Sequence, residues 1–141
     1  MIGLLILTHG ELAKGYLSAA ELISGKAENI DSLGLFHETS IEAFKDAAAE
    51  KIQALDQGEG VLVFCDIFGA SPYNVTAQNY HLLKGKVNYR SVTGVNLPMV
   101  IEAICSRETM ELDQLAQYIQ TVGKEGIKEL FETMGRKEQH E

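Results

Sequence analysis

Ile2-Gly3-Leu4-Leu5-Ile6-Leu7-Thr8-His9-Gly10 opens the chain just after Met1. The run is apolar without polar alternation, the pattern of a strand buried on both faces of a sheet. It predicts a strand over about Met1 to Leu7 that runs into a loop at Thr8-His9-Gly10. His9 then sits at the strand's C-terminal end. In open parallel α/β sheets that end is where ligands and chemistry collect. Histidine, with an ordinary pKa of ~6.5, is both a base and a nucleophile near neutral pH.

Downstream, strand-like and helix-like stretches alternate. Leu12, Tyr16, Ala19, Ala20 and Ile23 recur at helical spacing and stop near Gly25. Ile30 to Phe36 reads as a second strand. Ser40 caps a helix carrying Glu42 in its first turn and the stripe Ile41, Phe44, Ala48, Ile52 and Leu55. After the turn Gly58-Glu59-Gly60, the continuously apolar Val61-Leu62-Val63-Phe64-Cys65 reads as a third buried strand ending in Asp66. Ser71 and Pro72 fit the N-cap and first position of a helix reaching about Leu83. Lys86 to Thr93 reads as a fourth strand, and Gly94 to Pro98 as a loop entering a short helix through Ile104. This order predicts an α/β fold, a doubly wound and mainly parallel sheet of order 2-1-3-4 with right-handed crossovers.

The C-terminal part is more polar. Leu112, Leu115, Ala116 and Ile119 look helical. Gly123 and Gly126 interrupt the pattern beyond Ile119, so Ile127, Leu130, Phe131 and Met134 fit either a helix face or a short edge strand. Arg136 to Glu141 is a charged tail. Residues 1–135 are therefore expected to form a single domain.

Composition narrows the function classes. The chain has 141 residues, 45 % hydrophobic and 23 % charged, which is ordinary for a globular protein. Its formal net charge of −8 argues against nucleic-acid binding. Cys65 and Cys105 make neither a metal spacing nor a disulfide framework, and no metal or cofactor is expected. The first residues lack the basic region of a signal peptide, and no stretch is long enough to cross a bilayer, so the expected location is the cytoplasm.

Polar or glycine-rich sequence ends three of the strands: Thr8-His9-Gly10, Asp66 with Gly69-Ala70-Ser71, and Thr93-Gly94-Val95-Asn96. In a 2-1-3-4 sheet, strands one and three are neighbours whose connections leave toward opposite faces, which opens a crevice between them. His9 and Asp66 can meet there. Asp66 would take a hydrogen bond from one ring nitrogen, fix the tautomer and leave the other nitrogen free to attack. Ser71 and the first amides of its helix would favour a phosphate. Nucleophile, orienting carboxylate and anion cradle together suit a histidine that becomes phosphorylated. The other histidines have plainer readings: His37 solvated on a loop, His81 at a helix end, His140 in the tail.

The stretches "IGLLILTHGELAKGYLSAAELISG", "GVLVFCDIFGASPYNV", "VTGVNLPMVIEA" and "GKEGIKEL" resemble, in collinear order, the enzyme IIA component of the mannose-type (mannose/fructose/sorbose) phosphoenolpyruvate-dependent sugar phosphotransferase system. The resemblance implies that His9 is the phosphorylated histidine, Asp66 its partner, and Gly69, Ala70 and Ser71 the phosphate-binding turn. It implies a donor, the histidine phosphocarrier protein charged through enzyme I, and an acceptor, the IIB component, coupled to a membrane IIC–IID pair. It also implies a homodimer in which Gly123 to Leu130 is an edge strand exchanged antiparallel onto the partner's sheet. Some members of that family carry a tryptophan and a second glycine in the turn where Phe68 and Ala70 stand here. Rival readings are the similar phosphotransfer subunit of dihydroxyacetone kinase, and a regulatory domain that kept the fold but not the chemistry. A response-regulator receiver would need an acidic pair after the first strand for magnesium, and Thr8-His9-Gly10 supplies none.

Overall fold

The computed structural model describes residues 1–139, with side chains through residue 135. Four parallel strands, β1 (Gly3–His9), β2 (Ile30–Leu35), β3 (Val61–Cys65) and β4 (Tyr89–Val92), form one sheet in the order β2-β1-β3-β4. This is the expected order. Successive side chains of a strand point to opposite faces, so β1 and β3 supply two cores at once. Leu4, Ile6, Leu62 and Phe64 face one layer, formed by α1 (Leu12–Ser24), α5 (Leu97–Ser106) and α6 (Leu112–Glu125). Leu5, Leu7, Val61, Val63 and Cys65 face the other, formed by α2 (Ile41–Leu55), α3 (Ser71–Gln78) and α4 (Tyr80–Leu83). All of these strand side chains are fully buried, each leucine contributing roughly 1.5–3 kcal/mol from removal of apolar surface from water. Because α1 and α3 lie on opposite faces, the chain leaves β1 and β3 in opposite directions, and the crevice opens between His9 and Asp66 as the strand order requires.

Local chemistry fixes the joints. Ser40 Oγ accepts the Ala43 amide at 3.0 Å and starts α2. Gly10 has φ +57°, a left-handed turn out of β1, and its amide donates to Leu35 O at 2.8 Å. This brings the Gly10 carbonyl so close to Gly34 that a Cβ on Gly34 would collide with it. At the opposite end of the sheet, the buried Arg107 guanidinium donates to the carbonyls of Ile2 and Asn29, both at 3.1 Å, and to that of Glu28.

Several boundaries differ from the sequence reading. β1 continues through Thr8 and His9, because β2 keeps pairing with it as far as Leu35. β4 is shorter than expected. Ser71 is not the cap of α3: Ala70 holds that position, and Ser71 is the first helical residue. The helix expected to reach Leu83 is interrupted at Asn79, whose buried carboxamide turns to donate to Lys45 O of α2 at 3.0 Å.

The exchanged edge strand expected over Gly123 to Leu130 is not a strand in this single chain. Gly123 lies inside α6, and α7 (Leu130–Gln139) begins at Leu130. Gly123 is needed for contact, not for a break. A Cβ there would stand 2.6 Å from Met99 Cε, where α6 passes over the start of α5. Asn96 secures this contact, accepting the Met99 amide at 3.2 Å and donating to Gly123 O at 2.9 Å. The charged-tail reading of 136–141 falls on side chains outside the described residues, as does His140 altogether.

Candidate functional site

His9 is the last residue of β1, and Asp66 follows the last residue of β3. The register that pairs Leu7 with Cys65 carries both side chains to the same end of adjacent strands. Asp66 Oδ2 accepts two N–H groups of His9, the amide and ring Nδ1, each at 2.8 Å. Oδ1 accepts the Ile67 amide at 2.9 Å. A carboxylate can only accept, so Nδ1 is the donor in this contact, and in the neutral ring Nε2 is then the nitrogen with the lone pair. The His9 side chain is 49 % exposed and that of Asp66 only 9 %. The ring is held by a nearly buried carboxylate while about half of its own surface stays open to solvent.

Burial favours the neutral form of Asp66 and is the largest single influence on it. The amide and ring of His9 and the Ile67 amide together outweigh burial, and hold the carboxyl below the usual carboxylate range. Asp66 is therefore anionic at neutral pH and able to balance positive charge on the imidazole ring.

The expected anion cradle lies along the same rim. Gly69 adopts φ +82°, and its carbonyl is gripped by Asn74 Nδ2 at 2.9 Å. The turn leads into α3 with Pro72 in its first turn. Among the described residues the amides of Ser71 and Tyr73 have no acceptor. Free amides at a helix start, with the helix dipole behind them, favour negative charge. Exposed apolar side chains surround the pair: Leu12 at the start of α1, Phe36 after β2, and Ile67 and Phe68 after β3. The Phe68 ring is 75 % exposed and lies 5.2 Å from that of Tyr73. The site is open. A cleft of about 430 Å³ lined by Tyr80, Lys84 and Tyr89 includes neither His9 nor Asp66.

A family described as "PTS system fructose IIA component" matches residues 3–120. The chain belongs to the mannose-type IIA family of the sugar phosphotransferase system. It is 30 % identical over 130 residues to the mannose-specific EIIAB component of Escherichia coli, covering 92 % of this chain but only 39 % of that longer protein. It is 25 % identical to the sorbose-specific EIIA component of Lacticaseibacillus casei, covering 93 % of this chain and 92 % of that one. Among solved structures, the phosphotransferase system component EIIA from Streptococcus agalactiae superposes with a TM-score of 0.85 at 29 % identity, covering 94 % of this chain and 99 % of that one.

In this IIA family member, the structure brings His9 and Asp66 into direct contact and places Gly69, Ala70 and Ser71 on the adjoining turn. His37 is exposed, and His81 packs its ring edgewise on Tyr80 at 5.5 Å. Three residues were not singled out in the sequence. Thr8 is fully buried, and its Oγ1 accepts the Ala13 amide at 2.7 Å, bracing the strand end that carries His9 against α1. Its signal was a threonine just ahead of a helix start. Asn74 had a weaker signal, an amide side chain in a first helical turn. Tyr16, whose hydroxyl donates to Val95 O at 2.9 Å, reads only as part of an apolar stripe. Among the described residues no cluster of three or more His, Cys, Asp or Glu could hold a metal, and no helix is long and apolar enough to cross a membrane.

Proposed function

We propose that this chain is a phosphoryl carrier that is phosphorylated on Nε2 of His9 and passes the group to a second protein in sugar uptake. The observation that carries the reading is the paired grip of Asp66 on the His9 amide and Nδ1, which leaves Nε2 the unengaged nitrogen of a half-exposed ring. In the reaction, the Nε2 lone pair attacks phosphorus. An N–P bond forms as the donor's N–P bond breaks, and the donor imidazole keeps that electron pair. The His9 ring then carries positive charge, which the adjacent Asp66 carboxylate balances. The amides of Ser71 and Tyr73, with the turn Gly69-Ala70-Ser71, would receive the phosphoryl oxygens.

The open site and its apolar rim favour protein partners over a small substrate. The donor is the histidine phosphocarrier protein, and the acceptor is a IIB component that serves the membrane IIC–IID pair. The working location is the cytoplasm. We further infer a homodimer: β4 is an open sheet edge, and Ile127, Leu130, Phe131 and Met134 expose apolar surface that a second copy would cover. Incubation with phosphoenolpyruvate, enzyme I and the phosphocarrier should place an acid-labile phosphate on the protein. The label should move on to IIB. Absence of label in the wild-type chain, or full labelling of His9→Ala, would refute the reading.

A further inference from the structure

The strand-end loops are joined by hydrogen bonds into a closed circuit that runs through His9. His9 donates to Asp66. Cys65, one residue before Asp66, accepts the Val95 amide at 3.1 Å through its carbonyl. Val95 O in turn accepts the Tyr16 hydroxyl at 2.9 Å. Tyr16 belongs to α1, whose Ala13 amide is held by Thr8 Oγ1 at 2.7 Å, and Thr8 leads directly back to His9. The Thr8 hydroxyl also donates to His9 O at 3.1 Å.

Each link joins a different pair of segments. The His9–Asp66 contact joins β1 to the start of the β3–α3 turn. The Cys65–Val95 bond extends the sheet into the loop between β4 and α5. Thr8 fixes α1 to the end of β1. Among the described residues, only the Tyr16 phenol joins α1 to the β4–α5 loop by a side-chain hydrogen bond. Its ring packs against the apolar cluster that holds Val95, Met99 and Ala103, so the hydroxyl is delivered from a fixed base. Burial, and after it the Asp66 carboxylate, pushes the phenol above its ordinary pKa, so it remains a proton donor at every working pH.

We propose that Tyr16 is a positioning residue for phosphoryl transfer: by closing this circuit its hydroxyl keeps the end of β3, and with it Asp66, in register with the His9 ring. The proposal rests on the phosphohistidine reading for its kinetic consequence, but not for its structural one. Without the hydroxyl, Val95 O loses its donor and the β4–α5 loop loses its tie to α1, keeping those to β3 through Cys65 and to α6 through Asn96. The Asp66 carboxylate then samples a wider range of positions beneath Nδ1. The phosphorylation step suffers because positioning of reacting groups is where much of its rate arises. Donor binding does not, because Tyr16 lies behind the exposed rim.

The test uses the full-length chain and compares Tyr16→Phe, which removes only the hydroxyl, with Tyr16→Leu, which also removes the ring. Proton–nitrogen NMR of the unphosphorylated protein reads the His9 Nδ1–H directly. In both variants this resonance is expected to weaken through faster exchange with solvent. The rate of phosphoryl arrival is expected to fall roughly 3- to 10-fold, the scale of one lost hydrogen bond. The KM for the phosphocarrier should stay within about 2-fold of wild type. Wild-type Nδ1–H exchange and rate in Tyr16→Phe would overturn the proposal, and if only Tyr16→Leu is impaired, packing and not the hydroxyl is responsible. The NMR arm keeps its meaning even if the wild-type chain proves not to be phosphorylated, so the two failures are distinguishable.

Discussion

His9 Nδ1 and Asp66 Oδ2 lie 2.8 Å apart, and the same oxygen holds the His9 amide at the same distance. The carboxylate therefore fixes both the backbone and the ring of His9. A single contact sets the orientation of the ring and, in the proposed reaction, would supply the counter-charge of a phosphorylated ring.

Asp66→Asn keeps the size of the side chain but removes the charge. Phosphoryl transfer to His9 should slow by roughly 10²-fold or more, the usual effect of losing a fixed group that stabilises developing charge. Rapid-quench kinetics with the charged phosphocarrier would measure it. An unchanged rate would remove Asp66 from the mechanism.

The same contacts make folding stability depend on pH in a defined direction. Asp66 has a folded-state pKa below its unfolded value, because the His9 and Ile67 N–H groups outweigh burial. Its stabilising contribution is complete above the ordinary aspartate range near ~3.9, and is lost as pH falls through the lower folded value. Urea unfolding of wild type and Asp66→Asn between about pH 2 and 6 should show a stability gap that closes toward the acid end. A gap that widens as pH falls would contradict the assignment.

Thr8→Val leaves the Ala13 amide without the hydroxyl that caps it, in a buried position. A loss of about 1–2 kcal/mol is expected, as for other lost helix caps, and Thr8→Ser should recover most of it. Denaturant titration distinguishes the two. Equal stability of wild type and Thr8→Val would show that the hydrogen bond contributes nothing.

Gly34→Ala places a methyl group against the Gly10 carbonyl, where rigid backbone cannot yield cheaply. Destabilisation of roughly 1–3 kcal/mol is expected, together with slower transfer, because Gly10 comes directly after His9. Thermal unfolding and the labelling rate should fall together.

Arg107→Met tests the far end of the sheet. It removes donors from the carbonyls of Ile2, Glu28 and Asn29. The expected cost is about 1–3 kcal/mol, chiefly from the buried Ile2 carbonyl losing this donor, since Asn29 O keeps the Leu4 amide. The transfer rate at low temperature should be unchanged, since Arg107 lies at the opposite end of the strands from His9. A selective loss of transfer without loss of stability would contradict this division of roles.

Much of this was legible in the sequence because the signals were local. Val61–Cys65 is a continuous apolar run, and its strand matches residue for residue. Ser40 sits in a capping position and caps. The meeting of His9 and Asp66 came from strand order, which the alternation of elements implied. What escaped depends on contacts between distant segments. Gly123 looked like a helix breaker, yet it is the residue that lets α6 approach Met99. Asn79 interrupts a helix through a bond to Lys45 on another element. Tyr16 sat in an apolar stripe, and nothing in its neighbourhood announced that its hydroxyl would find Val95. Arg107 carries a charge that sequence reasoning assigns to solvent, while three backbone carbonyls bury it.

The most direct test of the central claim is to locate the phosphoryl group atom by atom. The uniformly nitrogen-labelled protein would be charged with phosphoenolpyruvate, enzyme I and the phosphocarrier, and its imidazole nitrogens examined for coupling to phosphorus. The account predicts coupling at Nε2 of His9, with Nδ1 still protonated against Asp66. Phosphorus on Nδ1, on another residue, or nowhere on the chain would contradict it.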